Sequence, residues 1–179
     1  MSTESTALSI IFDGWDGYQT SLVHAIQPLT HEQLIWRPAP KLRSVGEVAS
    51  HIAVGRVGWF ARISAPGSLE LDQKARALGS QAAIAEDKDE IIHWMEMSWK
   101  MIEATLQQWS VQDLSRTYHQ EYYGKTYLVS YQWVIWRILT HDVHHGGELA
   151  VMLGSQGIEI PELGDQFGHL TEPPLAENT

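Results

Sequence analysis

The sequence predicts an all-α fold, a four-helix bundle, on three observations. Four long segments repeat apolar residues at helical spacing, there is little strand signal, and one long connector separates the second helical segment from the third. At 179 residues the chain fits one domain, and its apolar fraction of 44% is ordinary for a globular protein. We assign residues 1–165 to the bundle domain. Residues 166–179, aperiodic and carrying Pro173-Pro174, read as a tail.

The first helix carries Leu8, Ile11, Phe12, Trp15, Tyr18, Leu22, Val23 and Ile26 at i, i+3, i+4, i+7 spacing and stops before Pro28. Gly14 and Gly17 lower its propensity without breaking the stripe. Thr30 and Gln33 stand at capping-box spacing and start a short helical turn, after which Pro38 and Pro40 force extended chain. Ser44 and Glu47 form a second capping box. The helix it opens runs through Val48, His51, Ile52, Trp59, Phe60 and Ile63 and ends before Pro66.

Residues 65–85 show no clear period beyond a helical turn at 73–78. Helices that are antiparallel neighbours are usually joined by 2–8 residues, so a connector of about twenty crosses the length of a bundle. That makes the second and third long helices roughly parallel. The third, residues 86–109, has acidic residues in its first turn, as the helix dipole favours. Its stripe is Ile91, Ile92, Met95, Trp99, Ile102, Leu106 and Trp109. Residues 110–125 are polar and tyrosine-rich and form either a loop or a short hairpin about Gly124. The last helix runs from about residue 129 to 153, and Gly154 and Gly157 end it.

Charge and composition exclude several classes of function. A net charge of −10 and a pI near 5.2 argue against nucleic acid or an anionic membrane as the main partner. The chain has no cysteine, so any thiol chemistry needs an external thiol. No apolar run approaches the ~20 residues of a membrane span, and the start of the chain lacks the charge and apolar pattern of a signal peptide. A soluble cytoplasmic protein is the expectation. The eight tryptophans are expected mostly in the core or at an interface.

The chemistry concentrates in the last helix, where His141-Asp142-Val143-His144-His145-Gly146-Gly147-Glu148 places three histidines and two carboxylates together. On a helical wheel of about 100° per residue, Asp142 and His145 fall on the apolar stripe, His141 on its margin and His144 toward solvent. His141 and His145 are i, i+4 neighbours with Cβ atoms ~5–6 Å apart, so both rings can reach one metal ion. Burying His145 without a partner would be costly. His51, at the edge of the second helix's stripe, is the best candidate for a third ligand. His24, His31, His93, His119 and His169 are weaker candidates, since a lone helical histidine is usually a surface or satisfied core residue.

Three segments carry a resemblance to a known family: residues 29–38 (LTHEQLIWRP), residues 43–52 (RSVGEVASHI) and residues 141–148 (HDVHHGGE). In this order the chain resembles the DinB-like superfamily, also called the damage-inducible or YfiT-like metalloprotein family. The resemblance implies an up-down-down-up four-helix bundle with a three-histidine divalent metal site. Transferred onto this sequence, it selects His51, His141 and His145 and leaves out His144. Two positions depart from the family's pattern. Gly146 stands where an arginine commonly follows the last histidine, and Glu148 where glutamine is usual. Glu148 is open to four readings: holding a ligand, acting as a fourth ligand, acting as a base, or standing as a solvated carboxylate toward the outer side of the helical wheel. Asp142 faces inward and can accept from a ligand's second nitrogen, or from Arg or Trp on a neighbouring helix.

Three neutral imidazoles leave a divalent ion, zinc or nickel, with uncompensated charge and an open position, as in catalytic sites. The resemblance implies transfer chemistry in which a low-molecular-weight thiol attacks a small electrophile. Metal-dependent hydrolysis with Glu148 or Glu47 as base is the alternative, and a non-catalytic metal- or ligand-binding stress protein the third. A homodimer formed through tryptophan-bearing faces is the family-based expectation.

Overall fold

A computed structural model describes residues 8–163; the tail assigned to residues 166–179, its boundary at 165, and His169 lie outside the described residues. The chain is mostly helical, with six α-helices and a small sheet: α1 Trp15–Ile26, α2 His31–Ile35, α3 Val45–Arg62, α4 Ser68–Ala77, α5 Lys88–Gln108, β1 Thr117–Tyr122, β2 Lys125–Ser130 and α6 Tyr131–Gly154.

Both expected capping boxes form. The Thr30 side chain accepts from the Gln33 amide while Gln33 accepts from the Thr30 N–H, and Ser44 and Glu47 do the same at the start of α3. Asp87 caps α5, accepting from the amides of Asp89 and Glu90. These side chains satisfy N–H groups that the helix itself leaves unpaired.

The four long helices α1, α3, α5 and α6 bury their stripes against one another around Leu22, Ile52, Phe60, Met95, Ile102 and Ile138. α1 packs on α5 and α6, and α3 packs on the same two. Gly55 of α3 lies against His141 of α6, and one turn on along α3 and two turns back along α6 Trp59 meets Trp133 with ring centroids at 5.5 Å. Residues advancing along α3 therefore meet residues receding along α6. Among the tryptophans, Trp15 and Trp94 are in the core, whereas Trp133 and Trp136 of α6 are exposed.

Three readings of the sequence need correction. The first helix starts at Trp15, because Gly14 takes a left-handed conformation (φ 89°) as its N-cap, and Leu8–Ile10 form a separate 3-10 turn. The long connector holds more helix than its periodicity revealed, with α4 and a 3-10 turn at Gln81–Ile84. Its end seats tightly on α3, since a Cβ on Gly46 would lie 1.7 Å from the Ala85 carbonyl oxygen. Lastly, an all-α description fails between α5 and α6, where β1 and β2 form an antiparallel hairpin with Tyr122 opposite Lys125.

The two-residue turn of that hairpin has φ 49° at Tyr123 and 71° at Gly124, the left-handed pair that matches the twist of the strands. β2 runs through Val129 and Ser130, the place where the last helix was expected to begin. The Ser130 side chain accepts from the Trp133 amide, and that cap fixes Tyr131 as the first helical residue.

Candidate metal centre

His51 projects from α3 and His141 and His145 from α6 into one cluster, each of them partly buried. One ligand atom from each of the three lies within 4.8 Å of the other two, a spread that a single metal ion can bridge. The ring centroids are 4.6–4.8 Å apart. The other histidines are elsewhere: His24 pairs with Glu162 at 3.5 Å, His31 Nδ1 faces the Glu86 carbonyl at 3.3 Å, and His93 and His119 are exposed. His144 is exposed, as its helical phase required, although with His145 and Glu148 it makes a second, more open group of donors.

The outer nitrogens decide which way the rings work. His51 Nδ1 lies 2.9 Å from Gln81 Oε1, and His145 Nδ1 lies 2.7 Å from Glu148 Oε2. Each oxygen accepts an N–H, so each ring carries its proton on Nδ1 and its lone pair on Nε2. Gln81 comes from the 3-10 turn of the connector, so this segment positions the His51 ring of α3. The sequence carried no pattern to identify it. Glu148 sits one helical turn beyond His145 and bonds that ring, which the solvated-carboxylate reading does not anticipate.

His51 Nε2 and His141 Nε2 face each other at 3.0 Å, and His141 Nδ1 is buried without a hydrogen-bond partner. The nearest carboxylate oxygen, Asp142 Oδ1, is 3.8 Å away. With the His51 proton committed to Gln81, two converging lone pairs repel unless His141 supplies a proton or a cation lies between them. The donor set therefore fits a divalent ion. Burial holds His51 and His145 below the ordinary histidine range, against the opposing pull of Gln81 on one and Glu148 on the other. Both rings are thus poised as neutral donors.

Asp142 serves a different purpose. It is fully buried and meets Arg56 of α3, also fully buried, with Nη2–Oδ2 at 2.8 Å and Nε within 3.1 Å of both oxygens. The Trp15 indole N–H donates to Oδ2 at 3.0 Å, and Arg56 Nη1 donates to Gln19 Oε1 at 2.6 Å and Ser98 Oγ at 3.4 Å. Burial alone would raise the Asp142 carboxyl, but the Arg56 charge and the bonds around it hold it below the usual carboxylate range. Of the two partners open to Asp142, Arg and Trp of neighbouring helices are the ones it bonds. Arg56 went unnoticed in the sequence, yet it shares the phase of Val45, Val48, Ile52 and Phe60, and a charge at a core position was the signal.

Two glycines fit the helices around the cluster. A Cβ on Gly55 would sit 3.3 Å from His141 Cε1, and one on Gly146 would sit 1.9 Å from the Tyr18 hydroxyl. Gly146 thus gives α1 its seat on α6, where a larger residue would collide. The Tyr18 hydroxyl is pushed up to about 12, first by burial and then by the Asp142 charge. Glu47 is engaged: Arg37 donates to both its oxygens, at 2.5 and 2.8 Å, and Ser44 N–H donates at 2.8 Å.

The histidines open onto a cleft of about 880 Å³ between α3, α4 and α6, which Gln81 also lines. A family model described as the DinB superfamily matches residues 15–149. The chain belongs to the DinB superfamily. That stretch contains all three clustered histidines as well as Arg56 and Gln81. The crystal structure of a DinB-like protein from Bacillus cereus ATCC 10987 is similar in fold, with a TM-score of 0.68 at 17% identity, covering 88% of this chain and 97% of that one. No match was found among curated protein sequences. Among the described residues no helix is long and apolar enough to cross a membrane.

Proposed function

We propose that His51, His141 and His145 hold one divalent ion at the floor of the cleft, and that the protein uses it to direct a low-molecular-weight thiol at a small electrophile. The observation that carries this reading is the convergence of three imidazoles on an open cleft, two of them with their outer nitrogens tied to side-chain oxygens. A bound zinc or nickel ion supplies a Lewis acid with an open position, which lowers the pKa of a coordinated thiol or water.

The chain's own residues supply the rest. Gln81 and Glu148 fix the tautomers, so that Nε2 lone pairs point into the cluster. Arg56 and Asp142 clamp α3 to α6 beside His141. We assign Glu148 a positioning role rather than that of a base, because its oxygen is engaged by His145. Both carboxylates open to a base role are thus engaged, Glu148 through one oxygen by His145 and Glu47 by the Arg37 fork. In thiol transfer the sulfur is the nucleophile, the thiol proton leaves to solvent, and the electrophile either expels its leaving group with the bonding pair or takes up a proton. The chain has no cysteine, so the thiol is external, drawn from the reducing cytoplasm where we place the protein.

We read the helix arrangement as an up-down-down-up bundle. It is supported by the order of contacts: Trp15 meets Trp99 and Gln19 meets the Met95 carbonyl, whereas Trp15 meets Asp142 and Tyr18 meets Val143. The exposed Trp136, Val143 and Val151 of α6 offer a face for the homodimer we expect.

The test is a panel of thiols (bacillithiol, mycothiol, glutathione) with a chromogenic electrophile and metal-loaded protein purified without an affinity tag. Turnover with one thiol, lost in His145→Ala, is the expected result. Turnover without any thiol would favour hydrolysis, and no turnover by protein shown to hold metal would favour a binding role.

A further inference from the structure

The cleft above the histidines is basic in a chain whose net charge is −10. Arg62, Arg76 and Arg137 line it, and the one carboxylate in the lining, Asp72, is paired with Arg76 at 2.6 Å. Among the described residues, Arg62 and Arg137 have no carboxylate within ion-pair distance. Both instead lie over Trp59, their guanidinium carbons 4.1 and 4.9 Å from the ring centroid, and Arg137 also reaches Trp133 at 5.5 Å. Stacking on an indole restrains each guanidinium, and Arg62 also lies beside the Tyr118 hydroxyl. A restrained fork of donors with no carboxylate partner matches a carboxylate or a phosphate.

The placement links this platform to the histidines. Arg137 stands one turn before His141 on α6, about 6 Å along the axis, and Trp59 stands eight residues after His51 on α3, about 12 Å. One molecule with a short spacer can touch both ends.

We propose that Arg62 and Arg137, stacked on Trp59, bind the carboxylate or phosphate of the reactant whose other end reaches His51, His141 and His145. The thiol of the proposed reaction is thereby an anionic one. The reacting end of this inference rests on the metal-centre reading; the anion subsite does not. Asp72 does not compete, because Arg76 already neutralises it.

Two measurements test the proposal and keep the two readings apart. In the first, metal-free protein at low ionic strength is titrated with glutarate and, separately, with methyl phosphate. The indole N–H resonance of Trp59, identified with Trp59→Phe, is followed by NMR. A saturable shift with either anion is expected, and which anion binds tighter names its class. Arg62→Gln/Arg137→Gln, whose side chains are exposed and leave the core intact, should lose the shift. No shift in wild-type protein, or an equal shift in the double variant, overturns the proposal whatever the metal does.

In the second, cobalt-loaded protein is titrated with 6-mercaptohexanoate and with 6-mercapto-1-hexanol, and the cobalt-thiolate absorption is read. The carboxylate thiol should bind about tenfold tighter, and the double variant should erase that preference while binding the alcohol unchanged. Equal affinities in wild-type protein overturn the proposal. A Trp59 response in protein that takes up no cobalt would sink the metal-centre reading and leave the anion subsite standing.

Discussion

Glu148 accepts from His145 Nδ1, and a ligand held in this way should weaken when its acceptor is removed. Loss of such an outer partner typically lowers metal affinity 10–100-fold. We expect Glu148→Ala to do this in a competition titration against a chromophoric chelator, with the far-ultraviolet circular dichroism unchanged. Unchanged affinity would assign Glu148 to something other than holding His145. Gly55→Ala should separate stability from binding. Alanine favours the helix by about 0.5–1 kcal/mol, but its Cβ crowds His141 Cε1 at 3.3 Å. Expected outcomes are equal or greater thermal stability and weaker metal uptake; equal uptake would show that the ring is not confined by α3.

Proton binding at the same residues has a definite sign. Burial lowers His51 and His145 in the folded chain, so below about pH 6.5 the unfolded chain binds more protons at these positions than the fold does. The metal-free protein therefore has their contribution in full above that pH and loses it as pH falls through the lowered values. Urea unfolding from about pH 7 to 5 should show this decline, and His51→Ala should flatten it. An unaltered slope in the variant would contradict the assignment.

At the scale of elements, the contact between α1 and α6 depends on Gly146. A Cβ there would meet the Tyr18 hydroxyl at 1.9 Å and Cζ at 2.8 Å, so Gly146→Ala should destabilise by about 1–3 kcal/mol. Tyr18→Phe should recover only part of this, because the ring carbon remains in the way. Full additivity of the two changes would mean that the helices do not meet there. The hairpin shows why some elements were legible and others not. The capping residues Thr30 and Ser44, and the i, i+4 pair His141 and His145, act over a few residues, and the sequence displays them directly. Ser130 is a cap of the same kind, but it follows β-branched Thr126 and Val129 in a strand paired to β1. Local apolar spacing points to a helix start at about residue 129 because it does not register cross-strand partners. Gln81 was beyond reach for a related reason, since its position against His51 depends on how the connector folds back over α3.

The whole molecule is tied together by one buried ion pair. Arg56 of α3 joins Asp142 of α6, Gln19 of α1 and Ser98 of α5, and Trp15 closes the set. Both charges are fully buried, so removing one leaves the other uncompensated. Arg56→Met should cost about 3–5 kcal/mol in chemical unfolding. Arg56→Met with Asp142→Leu should cost less than the sum of the single changes, since neither charge is then stranded, although Trp15 and Gln19 still lose a partner. The sequence showed an inward Asp142 but no means of matching it to a charge 86 residues away; only packing pairs them. Three histidines drawn from two helices would also make metal binding a clamp on the fold. At a free concentration of 100 times Kd, binding should add about 2.7 kcal/mol of stability, and a chelator should remove it. Metal content tests the central claim most directly, measured by mass spectrometry on untagged wild-type protein and on His51→Ala, His141→Ala and His145→Ala. The account predicts about one divalent ion per wild-type chain and a large loss in each variant; less than about 0.1 ion per wild-type chain, or occupancy unchanged in the variants, would contradict it.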